Sequence, residues 1–596
     1  MLHLGRTVRL VWSISPGWTA ANIVLAVVQG LLPLATLYMT KLITNAVVRG
    51  VDAPDKTAAF RHVAFLIVVA GVVGLVTALA RSVSTLVGEA QGQVVTDHIS
   101  DIIHAKSIEV DLEYYENSRY YDVLHRAQQE APYRPTKIVN DLVSIGQSLI
   151  SLAAVMALLF ALSWVVGLVI LVAALPGAYF RMRYSSKLYE WERRRTGADR
   201  RSWYLHWLLT DGSRAKEIRL FELGHTFRRW FSELRRDLRR ERLAIVTKRS
   251  AADFASGAAA VVAIFGTFSY IAWRTVQGTL SIGAMIMYYG AFQVGLSSLQ
   301  QVLGGLAGLY EDNLFLTYFH EFETLERAID DPPDPQPVPR PMRTGIAFED
   351  VSFSYPDTDR TAIARVSLVV HPGEVAALVG PNGSGKTTLV KLLCRLYDPQ
   401  EGRITIDGQD LRSFGLVDLR RSMSVIFQDY AQYQLTARQN IWIGNVSLDP
   451  GDAAVETAAR DSGAAEVIAG LRAGYETVLG KVFEDGEELS IGEWQKVALA
   501  RAFVRGAEIL VLDEPTSALD PIAEWRVFER IREMAQGKAV LLISHRFSTV
   551  RMADRIHIVE QGHIVETGTH AELMALDGRY ARMYEVQAKS FVTREP

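Results

Sequence analysis

Residues 380–387 read Gly-Pro-Asn-Gly-Ser-Gly-Lys-Thr, which matches the pattern G-x-x-x-x-G-K-[ST] of a phosphate-binding loop. Glycine lets such a loop fold so that its backbone N–H groups point at phosphate oxygens. The sequence at 374–379, Glu-Val-Ala-Ala-Leu-Val, predicts a buried strand before the loop, and residues 388–393 predict a helix after it. This strand–loop–helix order predicts a site for ATP or GTP. The residues expected to hold the phosphates are Gly380, Asn382, Gly383, Ser384, Gly385, Lys386, Thr387 and Thr388.

Two adjacent carboxylates follow a second apolar run, Ile509 to Leu512. Asp513 is expected to hold Mg²⁺ together with the Thr387 hydroxyl, and Glu514 to polarise the attacking water. Lys386 is long enough to reach the β- and γ-phosphates. The position of this pair after the phosphate-binding loop, and before residues 515–520, makes the assignment specific.

With these motifs and five further ones in order, the chain resembles the ABC transporter superfamily. The resemblance implies that Tyr355 stacks on adenine, that Gln428 lies near Mg²⁺ and the attacking water, and that His545 contacts the γ-phosphate. It also implies a signature at 489–493, whose Ser490 and Gly492 contact nucleotide held by a partner chain, and a D-loop ending at Asp520. The implied catalytic set is Glu514, His545, Gln428 and Lys386, and the implied Mg²⁺ ligands are Thr387, Gln428 and Asp513.

The signature departs from the usual Leu-Ser-Gly-Gly-Gln, because Ile491 and Glu493 are substituted. Ser490 and Glu493 form an S-x-x-E capping box, so one interpretation is that Glu493 caps the helix and leaves the site competent. The other is that its carboxylate repels the γ-phosphate and weakens that site, as in one half of an asymmetric heterodimer. We favour the capping interpretation and a homodimer.

Composition fits a membrane part joined to a soluble part. A chain of 596 residues is too long to fold around one hydrophobic core. Its mean hydropathy is positive, +0.11, although 22% of its residues are charged. The net charge of −3 gives no indication of nucleic-acid binding. The single cysteine, Cys394, excludes an internal disulfide and argues against a Cys-based metal site.

Six apolar runs in the first half are long enough to cross a bilayer, or nearly so. They are Trp18 to Val48, Ala59 to Val87, Asp141 to Leu162, Val165 to Phe180, Ala255 to Val276 and Leu280 to Leu309. Arginine is dense between 181 and 249 and sparse in the opposite loops, which predicts cytoplasmic termini and a cytoplasmic ATPase domain. We expect the membrane to be a bacterial plasma membrane. We expect residues 1–16 to be no signal peptide, residues 6–12 to lie on the membrane surface, and no peptidase domain to precede the first span.

The predicted fold class is therefore a membrane domain of about six long helices with cytoplasmic extensions, fused to an α/β P-loop ATPase domain. The predicted domains are 1–330 in the membrane, a proline-rich linker at 331–345, and the ATPase domain at 346–596. Residues 94–108 and 227–246 predict helices that continue beyond the lipid. Segments near 118–126 and 211–223 are expected to couple the domains.

Six spans before one such ATPase domain resemble an exporter-type half-transporter that uses ATP and Mg²⁺, works as a dimer in a lipid bilayer, and has no nucleic-acid partner. Residues 483–486 and 494–502 resemble the branch that exports lantibiotics and other peptides. We expect an ATP-driven exporter of a peptide or amphipathic compound. A flippase for a lipid or a lipid-linked compound and a non-transporting ATPase are the alternatives, and the six apolar runs argue against the latter. Candidate cavity residues are Gln293, Gln300 and Gln301, although polar residues within spans more often bond between helices.

Overall fold

The structure is a computed structural model that describes residues 4–117, 124, 134–356, 358 and 360–592. The described residues up to 325, except 110–117, form one compact unit. Residues 110–117 and those from 326 onward form the second. The short segment 110–117 therefore belongs with the ATPase unit, whereas the predicted boundaries place it in the membrane domain.

In the part of the first unit that the structure describes, the secondary structure is helical. Its helices are α1 (Leu4–Ile14), α2 (Pro16–Val51), α3 (Lys56–Glu109), α5 (Arg134–Leu162), α6 (Trp164–Arg194), α7 (Thr196–Thr210), α8 (Ala215–Leu220), α9 (Leu223–Val276) and α10 (Ile282–Glu323). The helix α4 (Leu112–Glu116) lies between α3 and α5 in sequence and belongs to the second unit.

Six of the described helices, α2, α3, α5, α6, α9 and α10, are long and apolar enough to cross a membrane. This is the number that the sequence predicts. As expected, α3 and α9 are 54 residues each, and a helix of that length rises about 80 Å, well beyond a hydrocarbon core of about 30 Å. Of the expected coupling segments, 118–126 lies outside the described residues apart from Leu124. The other, 211–223, contains α8.

Polar contacts tie the membrane helices to one another where their apolar surfaces meet. Asn22 of α2 donates to Gln91 of α3 at 2.5 Å, and Gln91 donates to Thr19 at 2.8 Å. Asp312 of α10 is fully buried and accepts hydrogen bonds from Lys137 at 2.9 Å and Arg134 at 2.5 Å. Two cations satisfy this buried carboxylate, which would be costly to leave unpaired.

The second unit contains two sheets. One is antiparallel, in the order β2 (Thr361–Val370), β1 (Ile346–Ser354), β4 (Glu401–Ile406) and β5 (Gln409–Asp410). The other has the order β10 (His563–Gly568), β9 (Arg555–Glu560), β3 (Val375–Val379), β8 (Ala539–Ile543), β7 (Ile509–Asp513) and β6 (Met423–Ile426). Apart from β10, its strands run parallel. The strands β3, β7 and β8 are buried along their whole length, as their apolar sequences require in a sheet covered on both faces.

The second unit also contains helices after β3. They are α11 (Lys386–Leu393), α12 (Leu416–Arg421), α13 (Ala437–Trp442), α14 (Ala453–Ser462), α15 (Ala464–Ala469), α16 (Ile491–Phe503), α17 (Pro521–Met534), α18 (Phe547–Val550), α19 (His570–Ala575) and α20 (Arg579–Val592).

The proline-rich segment at 331–345 contains no helix and is bonded to the rest of the ATPase unit. Asp331 accepts a hydrogen bond from the Leu416 amide at 2.6 Å, and the Val338 amide donates to Asp418 at 2.8 Å. Val338 and Met342 are buried in the same core as the antiparallel sheet. The segment is thus anchored by backbone bonds and two apolar side chains.

Candidate nucleotide site

The predicted site residues converge because they follow neighbouring parallel strands. The phosphate-binding loop follows β3, His545 follows β8, Asp513 ends β7 and Gln428 follows β6, and these four strands are adjacent. The carboxyl ends of parallel strands meet at one edge of a sheet, where ligands of open α/β folds bind. A cavity of about 690 Å³ lies at this edge.

Most of the residues predicted for the site line this cavity. Those in its wall are Tyr355, Asn382, Gly383, Gly385, Lys386, Thr387, Thr388, Gln428, Asp513, Glu514 and His545. Gly380 and Ser384 belong to the loop but do not line the cavity, and neither do Ser490, Gly492 and Asp520. Of the last three, Ser490 and Gly492 are expected to contact nucleotide held by a partner chain, and Asp520 ends the D-loop that is expected to bind nucleotide.

The loop is shaped by Gly385, whose φ of +110° is strained for any residue with a side chain. A Cβ at this position would come within 2.8 Å of the Ala362 carbonyl oxygen. Gly385 thereby brings the loop against β2 and directs the start of α11 into the cavity.

Lys386 crosses back over this loop. Its ammonium donates to the carbonyls of Gly380 and Pro381 at 2.8 and 3.0 Å. Burial lowers the pKa of Lys386, and the carboxylates of Asp513 and Glu514 oppose that effect. A buried cation of this kind is suited to bind the phosphate oxygens of a nucleotide.

The oxygen atoms that could hold Mg²⁺ are grouped around Asp513. Thr387 donates its hydroxyl to the Asp513 carboxylate at 3.1 Å. Asp513 is 2% exposed, and this burial raises the pKa of its carboxyl group to about 6. The negative charge of Glu514 also raises that pKa, whereas the hydrogen bond from Thr387 lowers it. Among the described residues no group of three or more His, Cys, Asp or Glu side chains could hold a metal. A single carboxylate, a hydroxyl and the Gln428 amide fit Mg²⁺, which takes oxygen ligands and completes its shell with phosphates and water.

Glu514 stands between two polar partners. His545 Nε2 lies 3.1 Å from one carboxylate oxygen, and Gln428 donates to the other at 3.4 Å. Burial and the charge of Lys386 lower the pKa of His545, with Glu514 opposing them. Glu514 itself adopts a φ of +50°, a conformation that is strained for a residue other than glycine and is found at functional sites.

The signature segment begins α16 and has the predicted capping box. Ser490 caps the helix by accepting from the Glu493 amide at 3.4 Å, and Glu493 accepts from the Ser490 amide at 2.7 Å. A Cβ on Gly492 would lie 2.9 Å from the Ala518 carbonyl oxygen, so glycine allows this turn to approach the loop that ends at Asp520.

Sequence reasoning missed Gln495, which connects these motifs. Gln495 is 2% exposed; it donates to the Glu514 carbonyl at 3.0 Å and accepts from the Ala518 amide at 3.0 Å. It thereby supports the strained backbone at Glu514. A glutamine on the apolar face of α16, between Trp494 and Val497, is the sequence signal that could have found it.

The cavity also has residues that no motif indicated. They come from the turn before β2, from β2 itself, from the end of β8 and from the β9–β10 turn: Thr358, Arg360, Thr361, Ala362, Ile543, Gln561 and Gly562. Their sequence lacks a phosphate-binding pattern, because they approach the site only through sheet packing.

The fold and this site define a P-loop ATPase domain joined to a unit of six membrane-crossing helices. Residues 363–517 match the family model described as ABC transporter. The subtilin transport ATP-binding protein of Bacillus subtilis is 27% identical over 98% of this chain and 94% of its own length. The nisin transport ATP-binding protein of Lactococcus lactis subsp. lactis is 26% identical over 98% and 96%.

A solved structure of a bacterial Atm1-family ABC exporter with ATP bound superimposes with a TM-score of 0.83 at 25% identity, over 97% of this chain and 99% of that one. The ATP-dependent lipid A-core flippase of Alkalilimnicola ehrlichii is 38% identical, over 55% of this chain and 54% of its own length. The ATPase domain is therefore an ABC transporter domain, and the relatives that align over the whole chain are transport ATP-binding proteins and an ABC exporter, in agreement with an exporter-type half-transporter. The chain is an integral membrane protein that couples ATP hydrolysis to export.

Proposed function

We propose that the chain exports a peptide or another amphipathic compound across a bacterial plasma membrane, with its ATPase domain and both termini in the cytoplasm. The observation that supports a peptide as the cargo is the share of the chain over which the relatives align. The two lantibiotic transport proteins align over 98% of the chain, including its membrane unit. The flippase relative aligns over 55%, so a lipid cargo remains the second candidate.

The proposed ATP site needs two chains, because Ser490 and Gly492 do not line the cavity of their own chain. Two ATP molecules with Mg²⁺ would join the phosphate-binding loop of each chain to the signature of the other. Closure of the dimer would move the membrane helices from an inward- to an outward-facing arrangement, and hydrolysis would release it. A homodimer is the simplest such assembly, and a related half-transporter is the alternative partner.

Within this scheme each residue has a distinct role. Lys386 binds the β- and γ-phosphates, while Thr387, Asp513 and Gln428 would hold Mg²⁺, which neutralises charge that develops on the transferred phosphoryl group. Glu514 orients and polarises the attacking water, and His545 contacts the γ-phosphate.

The membrane unit offers a polar cavity for the cargo. It has a volume of about 720 Å³ and lies between α2, α3 and α5. Glu89 and Asp97 in its wall are exposed and have no ion-pair or hydrogen-bond partner among the described residues. Unpaired carboxylates near the end of a membrane-crossing stretch suit a cargo with a cationic or hydroxyl-rich face, which favours an amphipathic peptide over a wholly apolar compound. The other wall residues are Asn22, Ser84, Thr85, Gly88, Gly92, Gln93, Thr96, Thr136, Lys137, Asn140, Val143, Ser144 and Gln147.

Two of the glutamines that the sequence suggested for the cavity make side-chain hydrogen bonds. Gln301 accepts a hydrogen bond from Ser148 at 2.9 Å, and Gln293 donates to Tyr289 at 2.9 Å. Gln301 thus bonds between helices, the commoner role of polar groups within spans.

ATP hydrolysis by the purified protein in lipid discs tests the cargo. Cationic amphipathic peptides, drugs and lipids are added separately, and Glu514→Gln measures the background. We expect peptides to raise turnover several-fold and lipids to leave it unchanged. Stimulation by a lipid alone, with no response to peptides, would favour the flippase.

Glu514→Gln tests the chemistry itself. The variant should bind ATP with wild-type affinity and lose at least ~99% of turnover, because removal of a catalytic base or water-orienting group typically costs 10²–10⁴-fold. Near-normal hydrolysis would refute the role of Glu514.

A further inference from the structure

The segment 110–117, which follows the membrane-crossing helix α3 directly in sequence, is fixed to the ATPase unit by several bonds. Asp111 accepts from the Ala328 amide at 2.6 Å, and the Tyr114 hydroxyl donates to the Glu326 carbonyl at 2.9 Å. Leu112 packs against the buried core that contains the antiparallel sheet. The position of α4 is therefore set by the ATPase unit.

Glu116, at the end of α4, makes an ion pair and a further hydrogen bond with the ATPase unit. Its two carboxylate oxygens accept from Lys391 at 2.6 Å and from the Tyr397 hydroxyl at 2.7 Å. The Lys391 side chain is 19% exposed and that of Glu116 is 38% exposed. Burial lowers the pKa of Lys391, but the bonds with Glu116 and Tyr355 outweigh it and raise that pKa, so the ion pair is retained at neutral pH.

Lys391 also lies over the ring that is expected to stack on adenine. Its ammonium is 5.2 Å from the centre of the Tyr355 ring, within the range of a cation–π contact. Tyr355 packs edge-on against Tyr397, with ring centres 5.4 Å apart, and its hydroxyl is 3.1 Å from the Thr388 hydroxyl. Lys391 lies on α11, the same helix that begins with Lys386 and Thr387.

We propose that Glu116 is a positioning residue for the nucleotide base: it fixes Lys391 and Tyr397 around Tyr355, so that the position of α4 sets the affinity for adenine. The proposal rests on the base-stacking role of Tyr355 in the proposed function. It gives the membrane unit a route to the nucleotide that involves neither the phosphates nor the partner chain, because α3 leads directly into α4.

The test compares a nucleotide with a ligand that has phosphates but no base. Full-length Glu116→Gln, Lys391→Met and the double variant are assayed in lipid discs for the KM of ATP and for inhibition by inorganic tripolyphosphate. Glu401→Gln is the matched control, since Glu401 is exposed at the start of β4 and has no bonding partner among the described side chains. Tyr355→Ala establishes whether the base is stacked at all.

Each single variant should raise the KM of ATP by about three- to tenfold, the range of a partly buried cation–π contact, and leave tripolyphosphate inhibition within about twofold. The KM of the double variant for ATP should be no higher than that of Lys391→Met, because both substitutions break the same contact between Glu116 and Lys391. Equally weakened binding of ATP and of tripolyphosphate would show that α11 is generally loosened, and it would overturn the proposal. Additive effects of the two substitutions, or an unchanged KM for ATP, would also overturn it. An unchanged KM for ATP in Tyr355→Ala would overturn the base-stacking role on which the proposal rests. Absence of ATP hydrolysis by the wild-type protein would instead contradict the ATPase function.

Discussion

Asp513 and Glu514 are neighbours in sequence with different surroundings. Asp513 is buried at the end of β7, and Glu514 turns out of the strand at a positive φ to meet Gln428 and His545. Burial of a carboxylate disfavours its charge, which is the main reason that the pKa of Asp513 rises to about 6. A bound cation would favour the charged carboxylate and so lower the pKa of Asp513 again.

Asp513 should reduce stability at neutral pH in the absence of Mg²⁺. Its folded-state pKa exceeds the ordinary value of 3.8, so the folded protein retains a proton that the unfolded chain releases between about pH 4 and pH 6. The contribution of Asp513 to stability therefore falls as pH rises through this interval. We expect Asp513→Asn to raise the unfolding free energy at pH 7.5 in EDTA by up to ~3 kcal/mol, seen as a higher Tm. The gain should shrink towards pH 4, and an equal Tm difference at both pH values would contradict this cause.

Glu493 caps α16, which supports the interpretation that its carboxylate leaves the site competent. Glutamine also completes a capping box. Glu493→Gln should therefore keep the Tm within about 1 °C and change ATP turnover less than about twofold. Ser490→Ala, which removes the cap, should cost about 1 kcal/mol. A rise in turnover of fivefold or more in Glu493→Gln would instead support repulsion of the γ-phosphate by the native carboxylate.

At the scale of elements, α16 links the signature to the catalytic carboxylate through one buried side chain. Gln495 bonds to the Glu514 carbonyl, the Ser517 hydroxyl and the Ala518 amide. Because the helix, the strand end and the following loop share Gln495, a shift of the signature helix is transmitted to Glu514.

Gln495→Leu should leave these three polar groups without their partner. An unsatisfied buried polar group costs about 1–3 kcal/mol, so we expect a lower Tm and at least a tenfold lower kcat. The KM for ATP should change little, since Gln495 does not line the cavity. Gln409→Leu, at an exposed position in β5, serves as the control. A kcat equal to the wild-type value would show that Glu514 does not depend on this support.

For the whole molecule, the composite site predicts complementation between two inactive chains. Lys386→Met disables the phosphate-binding loop. Ser490→Asp keeps an N-cap residue but places a charge where the partner's nucleotide would bind. Each variant alone should be inactive. A one-to-one mixture should recover up to about a quarter of wild-type turnover, because half of the dimers are mixed and each keeps one intact site. No recovery in co-expressed, co-purified dimers would contradict sites shared between two chains.

Membrane orientation can be read with introduced cysteines. Burial raises the pKa of the Cys394 thiol to about 12, so the native thiol should not react at neutral pH. Asp52→Cys, between α2 and α3, should react with an impermeant maleimide on intact bacteria. Lys216→Cys, on α8, should react only after permeabilisation. The reverse pattern would invert the proposed orientation.

The sequence by itself determined the nucleotide chemistry, the six long helices and the capping box, because each depends on residues close together in the chain. The lengths of the hydrophobic runs predict which helices cross the membrane. The glycines within 380–387 allow the conformation that a phosphate-binding loop requires. Only the tertiary structure revealed Gln495, Arg360 and Gln561, and the link from Glu116 through Lys391 to Tyr355. These contacts join residues up to about 280 positions apart, and their local sequence carries no periodic signal. Such contacts arise from the packing of neighbouring strands and helices, which no single stretch of the chain encodes.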